Sequence, residues 1–153
     1  MRKFKEMKEN NKGFSLVELI IVIAIMAVLV GVLAPQFIKY VESSKQSTDI
    51  QNAAEIRAAV EAFVAEQAPT TNIEVKVDTN AIVVSGGTYT GGDVTNALPE
   101  VGLSASTGTK SVGWGNGTIA TYNVTTFKWE IPASGGVTTN SKKPNKDLSS
   151  SFK

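Results

Sequence analysis

The side chains that could do chemistry in this sequence are concentrated in the stretch Lys12-Gly13-Phe14-Ser15-Leu16-Val17-Glu18. One carboxylate, Glu18, directly precedes a long apolar run that carries no formal charge from Leu19 to Ile38. A charge inside a membrane-spanning helix costs about 2.5–3.5 kcal/mol at the centre and less near an edge, and it usually marks function. Glu18 therefore needs a partner of opposite charge.

Cleavage of the chain after Gly13 would supply that partner. Phe14 would become the new N-terminus, and its α-amino cation would lie one helical turn before Glu18. In a packed array of such helices each carboxylate could meet the amine of a neighbour, because a buried charge is tolerated when it is paired. Such a pair would set the register between apolar helices, which predicts a role in assembly and not in catalysis.

The apolar run is long enough to cross a membrane. Its twenty residues from Leu19 to Ile38 would form a helix of about 30 Å, the thickness of the hydrocarbon core of a bilayer. A secretory signal peptide has a shorter apolar run of about 7–15 residues, and a plain membrane anchor would leave Glu18 unexplained. Five cations and two acids precede Phe14, and this net positive charge predicts a cytoplasmic N-terminus.

Residues 12–18 and the run that follows them resemble the processing site of type IV prepilins and the related pseudopilins. The resemblance covers residues 8 to 40 closely and is architectural beyond them. It implies that a prepilin peptidase cuts after Gly13 on the cytoplasmic side and methylates the new N-terminal Phe14. It also implies that Glu18 is the assembly acid. An inner-membrane assembly platform with an ATPase motor would then extract the chain into a helical polymer of its own copies.

A single long helix is predicted from about Phe14 to Ala68, with a kink near Gly31 and Pro35 because proline removes a backbone hydrogen bond. From Gln36 onward no Gly or Pro interrupts it, and apolar residues recur at helical spacing. This second half should be amphipathic, with its charges in solvent. The apolar positions are Ile50, Ala53, Ala54, Val60, Phe63 and Val64, and the charged ones are Glu42, Lys45, Asp49, Glu55, Arg57, Glu61 and Glu66.

After the helix the composition changes to Thr, Gly, Asn, Ser and Val, which predicts β-strands. Residues 73–78 alternate between apolar and polar, as in a half-buried strand, and a turn at Asp78-Thr79-Asn80 leads to a second strand, Ala81–Ser85. Further along, Asn116-Gly117 predicts a hairpin turn. In the last alternating stretch we expect three side chains to face inward, namely Phe127, Trp129 and Ile131.

The predicted fold is α+β: a long kinked N-terminal helix whose C-terminal half packs on a small antiparallel sheet of about four strands, which matches the pilin fold that the resemblance implies. Three regions are expected: a basic leader that is removed (1–13), a hydrophobic transmembrane and filament-core helix (14–38) and a globular domain (39–153). The domain comprises an amphipathic helix (39–68), a sheet (about 72–131) and a flexible or surface-exposed polar tail (138–153).

The chain contains no cysteine and no histidine. Disulfides are therefore excluded, as are metal sites built on thiolate or imidazole and catalytic triads with an imidazole base. We predict no metal, no cofactor, no enzyme activity and no nucleic-acid site, since the basic excess belongs to the leader. Trp114 and Trp129 are interpreted as core or hairpin aromatics and not as a carbohydrate platform.

The leading functional interpretation is a structural subunit of a type IV pilus. The chain would be a single-pass protein in the lipid of the cytoplasmic membrane before assembly and part of an extracellular filament afterwards. The nearest alternative is a major pseudopilin of a type II secretion or DNA-uptake machine, and an alternative of another class is a membrane-tethered extracellular binding module. The sequence leaves open whether a filament would serve cell adhesion, twitching motility, DNA uptake or secretion.

Overall fold

The computed structural model describes residues 13–101, 103–133 and 139–153. The chain divides into two compact units, one that ends at Phe37 and one that comprises Ile38–Lys153. The predicted leader apart from Gly13, and the first residue of the predicted tail, lie outside the described residues.

The first element is the helix α1, Leu16–Gln67, which includes Pro35 and continues without interruption through both of its predicted halves. It ends where Ala68 adopts a positive φ of 45° and donates its N–H to the Val64 carbonyl at 3.1 Å, immediately before Pro69. A residue in the left-handed conformation followed by proline is a common way to terminate a helix. The long helix is therefore confirmed, and the kink near Gly31 and Pro35 remains a prediction.

The second half of α1 supplies one wall of the hydrophobic core. Its buried apolar residues recur three or four positions apart, as the core face of a helix requires; they are Ala53, Ile56, Ala59, Val60, Phe63 and Val64. Two expectations for this half are wrong. Ala54 is exposed because it lies beside that stripe, and Asp49 is fully buried and not solvated. The reason for the burial of Asp49 is its set of hydrogen-bond donors, described below.

The second unit also contains a five-stranded antiparallel sheet with the strand order β3-β2-β1-β4-β5, so the α+β fold class is confirmed. Its strands are β1 (Ile73–Asp78), β2 (Ala81–Gly86), β3 (Ser106–Gly108), β4 (Gly117–Asn123) and β5 (Lys128–Glu130). A short helix α2 (Val94–Ala97) and a 3-10 helix (Leu98–Val101) lie between β2 and β3, and a second 3-10 helix comprises Leu148–Phe152.

The hairpin of β1 and β2 agrees with the strands and the turn that were predicted from its sequence. Ile73, Val75 and Val77 are buried on alternate positions of β1, and Asp78 pairs with Ala81 across the turn. The turn residues Thr79 and Asn80 both have positive φ, at 47° and 61°. Positive φ at both central residues is the geometry that joins two twisted strands through a two-residue loop.

Two local predictions in the sheet are wrong. Asn116-Gly117 does not join two strands, because Gly117 is the first residue of β4 and residues 110–114 are held by α1 instead. The observed hairpin lies between β4 and β5, where the Asn123 side chain accepts from the backbone N–H groups of Thr125 and Thr126. Phe127 closes this turn with a φ of 55° and is 70% exposed, so it does not face inward.

The C-terminal segment packs on the domain. Leu148 and Phe152 of the second 3-10 helix belong to the hydrophobic core, and Ser149 and Ser151 are buried with them. The expectation of a flexible or surface tail is therefore wrong for the four buried residues, and only Ser150 of this 3-10 helix is exposed. The sequence signal was weak, because only two apolar side chains carry this packing.

Candidate processing and assembly site

The segment before α1 places the predicted processing residues at the surface. Gly13, Phe14 and Ser15 are exposed and precede the first helical residue, Leu16. The Phe14 side chain is 88% exposed although it is large and apolar. The peptide bond between Gly13 and Phe14 is therefore sterically accessible, and its cleavage remains a prediction.

Nothing in the described part of the chain requires glycine at position 13. A Cβ atom built there meets no atom within 4 Å, and Gly13 is not among the residues with positive φ. Alanine would fit the same backbone. A requirement for Gly13 would therefore come from a partner whose active site approaches the backbone closely.

Glu18 caps the start of its own helix. Its Oε2 accepts a hydrogen bond from the Ser15 backbone N–H at 2.9 Å, and the Leu19 N–H donates to the Ser15 carbonyl at 3.2 Å. Ser15 is thus the N-cap, and Glu18 reaches back to it from the third helical position, as in a capping box. The carboxylate also lies at the positive end of the helix dipole. Sequence reasoning missed this role, although the spacing Ser-x-x-Glu is its signal.

The first half of α1 presents an apolar surface that its own chain does not cover. A stretch of 18 consecutive residues in α1 is strongly apolar, and none of it is buried. Within the described residues, α1 is the one helix that is long and apolar enough to cross a membrane. Burying a Leu, Ile or Val side chain contributes about 1.5–3 kcal/mol, so this surface favours lipid or neighbouring apolar helices over water.

Gly31 lies in this uncovered half and has no packing role within its own chain. A Cβ atom built there meets nothing within 4 Å. Glycine in a helix interior costs about 1 kcal/mol relative to alanine, and Pro35 weakens the same region further. This part of α1 is therefore intrinsically the weakest, which fits the predicted kink.

A second group of polar side chains anchors the cysteine-free domain to α1. Asp49 is fully buried, and its two carboxylate oxygens accept three hydrogen bonds. The donors are the backbone N–H groups of Lys110 at 2.6 Å and Ser111 at 2.9 Å and the Trp114 indole Nε1–H at 2.7 Å. A buried carboxylate is tolerated when its lone pairs are taken by such donors. The interpretation of Trp114 as a buried aromatic is confirmed, since it is 5% exposed.

Gln46, one helical turn before Asp49, fixes the segment near the C-terminus in the same way. Its Nε2 donates to the Lys142 carbonyl at 2.8 Å, and its Oε1 accepts from the Lys146 backbone N–H at 3.0 Å. Gln46 is also fully buried. One amide side chain thus satisfies a donor and an acceptor of a backbone segment 96 to 100 residues away.

Asn140 connects these two anchors. Its Nδ2 donates to Ser111 Oγ at 2.8 Å, and its Oδ1 accepts from the Lys142 N–H at 2.8 Å. Ser111 Oγ in turn donates to the Glu42 carboxylate, and this hydrogen bond is the main reason why the pKa of Glu42 lies below its ordinary value of 4.5. Hydrogen bonds inside such a network stabilise one another, and leaving one partner unsatisfied is costly.

The end of the chain is held by Arg57. Its guanidinium donates to the carbonyls of Ser151 at 3.1 Å and Lys153 at 2.9 Å and pairs with Glu61 at 2.8 Å. Glu61 also accepts from the Trp129 indole at 2.8 Å, and the Arg57 and Trp129 hydrogen bonds lower the pKa of Glu61. The Trp129 ring packs edge-on against Phe152, with 4.7 Å between centroids.

These features define a class of protein: one long helix that is apolar through its first half and is followed in the chain by a small antiparallel sheet. Residues 8–34 match the family model described as the prokaryotic N-terminal methylation motif. No solved structure is significantly similar to the chain.

Three curated relatives are similar to part of the chain. Prepilin peptidase-dependent protein A of Clostridium perfringens is 41% identical over 88 residues, which is 55% of this chain and 63% of the relative. The type IV major pilin protein PilA of Myxococcus xanthus is 40% identical over 58 residues, 38% of this chain and 26% of the relative. The type IV major fimbrial protein FimA of Dichelobacter nodosus is 38% identical over 58 residues, 38% of this chain and 37% of the relative.

The motif and these relatives support a type IV pilin-like family for the chain. The resemblance inferred from residues 12–18 is thereby confirmed. Two of these relatives are named as a major pilin protein and a major fimbrial protein, which supports the prediction that the chain is not an enzyme. The aligned segments span less than two thirds of each of these relatives.

We expect the substitution Asp49→Asn to lower the free energy of unfolding of the domain by about 2–4 kcal/mol, because the amide leaves buried N–H donors without an acceptor. Thermal unfolding of the full-length chain in detergent, followed by Trp fluorescence, would measure it. Glu55→Gln removes the same charge from an exposed position on the same helix and should change stability by less than about 0.5 kcal/mol. Equal effects of both variants would show that Asp49 is no anchor.

We expect Gly113→Ala to destabilise the domain by about 1–3 kcal/mol through overpacking. A Cβ at Gly113 would lie 1.9 Å from Asn140 Oδ1, and Asn140 cannot move without breaking its hydrogen bonds. Gly108→Ala is the matched control, since a Cβ there meets nothing within 4 Å. In an Asn140→Ala background the cost of Gly113→Ala should largely disappear, and a cost that persists would contradict the proposed clash.

Proposed function

We propose that the chain is a structural subunit of a type IV pilus filament, cleaved after Gly13, methylated at Phe14 and polymerised through its N-terminal helices. The observation that carries this proposal is the uncovered apolar half of α1, most of which lies within the methylation motif matched at residues 8–34. A pilin-like family, a processing motif and an apolar helix fit membrane anchoring followed by incorporation into a surface filament.

The proposed regions follow from this function. The leader would comprise residues 1–13, the membrane and filament-core helix residues 14–38 and the outer domain residues 39–153. The basic leader favours an orientation with the N-terminus in the cytoplasm. Partners would be other copies of the chain, the prepilin peptidase, and an inner-membrane assembly platform driven by an ATPase.

Extraction from the membrane has an energetic consequence for this design. The apolar half of α1 loses its contact with lipid, so neighbouring helices must replace that burial. A stacking contact between different surfaces of identical subunits generates an open helical filament and not a closed ring. Within such a core the Glu18 carboxylate would pair with the Phe14 amine of a neighbour, because an unpaired buried charge would oppose assembly.

Processing is tested by intact mass and N-terminal sequencing of protein sheared from cells and of protein in the membrane fraction. We expect a chain that starts at Phe14, carries one additional methyl group and is enriched in the sheared fraction. The same mature chain confined to the membrane would favour a pseudopilin instead. Gly13→Ala should prevent cleavage although its Cβ fits the folded chain, and Gly31→Ala, which also has room, should be cleaved normally.

Assembly is tested by comparing Glu18→Gln with Glu18→Ala. Gln retains the capping hydrogen bond to Ser15 and removes the charge, whereas Ala removes both. We expect both variants to insert and to be cleaved, and both to reduce sheared filaments at least tenfold, about 1.4 kcal/mol of assembly free energy. Filament yield restored by Gln would show that the cap matters and the charge does not. A membrane-tethered binding module would be insensitive to both substitutions.

A further inference from the structure

A cleft of about 380 Å³ lies at the start of the second unit. It is lined by Lys39, Tyr40 and Ser43 of α1 and by Lys143 and Pro144 of the segment near the C-terminus. Tyr40 is 72% exposed although its ring is large. The cleft therefore combines two cationic side chains with an aromatic ring and the apolar ring of a proline.

This cleft has a fixed shape because its second wall is tied to α1. Gln46 binds the backbone of Lys142 and Lys146 from both sides of Lys143 and Pro144. The Lys146 ammonium donates to the Ser43 carbonyl at 3.2 Å and to Ser47 Oγ. The segment is therefore held at both ends, and the cleft does not depend on a free loop.

The two lysines that line the cleft carry uncompensated charge. Within the described part of the chain, neither the Lys39 nor the Lys143 ammonium forms an ion pair or a hydrogen bond. The nearest acid along α1 is Glu42, and its carboxylate is already occupied by Ser111 and Gln46. The cleft thus presents an excess of positive charge that an anionic group would neutralise.

The position of the cleft along the chain indicates where that anion would come from. Lys39 is the first charged residue after the uncharged run, and Tyr40 follows it directly. A helical run of twenty residues spans a hydrocarbon core of about 30 Å, so the next residues lie at the level of the lipid headgroups. Tyrosine and lysine are enriched at this level, because their apolar stems stay in the interface while their polar ends reach water.

We propose that Lys39, Tyr40 and Lys143 form a docking surface for the phosphate headgroup of an anionic phospholipid. The ammonium groups would bind the phosphate, and the Tyr40 and Pro144 rings would lie against the glycerol and upper acyl chain. The proposal rests on the membrane-anchored state within the proposed function and needs neither cleavage nor filament assembly. Bound in this way, the sheet domain would lie against the membrane until extraction breaks the contact.

The test uses the full-length chain in zwitterionic detergent micelles and records amide chemical shifts. A short-chain phosphatidylglycerol is titrated in, and phosphatidylcholine of the same chain length is titrated in parallel. We expect saturable shifts at the backbone amides of Tyr40, Ser43 and residues 142, 143, 145 and 146 with the anionic lipid alone, since Pro144 has no N–H. Lys39→Gln/Lys143→Gln should weaken this binding by on the order of tenfold or more, since each lysine near an anionic lipid surface contributes about 1 kcal/mol.

A matched variant and two further probes distinguish lipid binding from the alternative explanations. Lys76→Gln/Lys128→Gln removes the same charge from the sheet and should leave the titration unchanged, and an unshifted Trp114 indole resonance would show that each variant is folded. An equal response to phosphatidylcholine, or an equal loss in both double variants, would overturn the proposal. The same shifts with inorganic phosphate, or shifts that depend on protein concentration without lipid, would assign the cleft to a free anion or to a second copy and would also overturn it.

Discussion

A carboxylate with no access to water is stable only if hydrogen-bond donors of the protein surround it. In this domain the donors to Asp49 come from residues 110–114, and these contacts fix the position of that segment. Three N–H groups from residues 110–114, 61 to 65 positions further along the chain, converge on its two oxygens. Gln46 fixes the segment near the C-terminus by donating to the Lys142 carbonyl and accepting from the Lys146 N–H. A chain without cysteine thus fixes its distant segments by hydrogen bonds to one face of α1. A disulfide would do this by constraining the unfolded chain, whereas these contacts act in the folded state.

A second constraint separates the two halves of α1. Within the described residues, the hydrogen bonds from α1 to distant segments begin at Glu42 and continue to Glu61, and the buried residues of the helix begin at Gln46. The earlier half contributes an apolar surface that is uncovered in the single chain. Substitutions in this earlier half should therefore affect insertion or assembly and leave the stability of the sheet domain nearly unchanged. Two stretches of the same helix thus depend on different surroundings.

The parts of the structure that were predicted from sequence are those whose signals are local. The motif around Gly13 and Glu18, the helical spacing of apolar residues in α1 and the alternation along β1 each relate residues that are only a few positions apart. Asp49 was misread as solvated because its donors lie more than sixty residues away. Asn116-Gly117 has a strong turn propensity, but the hydrogen bonds of residues 110–114 to Asp49 override it. Phe127 was assigned to the core by alternation, which the Asn123 turn interrupts.

In the proposed assembly, Glu18 would meet two environments in succession. In the single chain its carboxylate accepts the Ser15 N–H and lies against the positive end of the helix, so its charge is partly compensated before any neighbour arrives. A neighbouring amine would then compete with that cap and would not neutralise a bare charge. The net gain from such pairing would be the difference between the two contacts, so the interaction would be modest in strength and strict in geometry. An interaction of that kind selects the register of identical apolar helices, because every other register would bury the carboxylate without its amine.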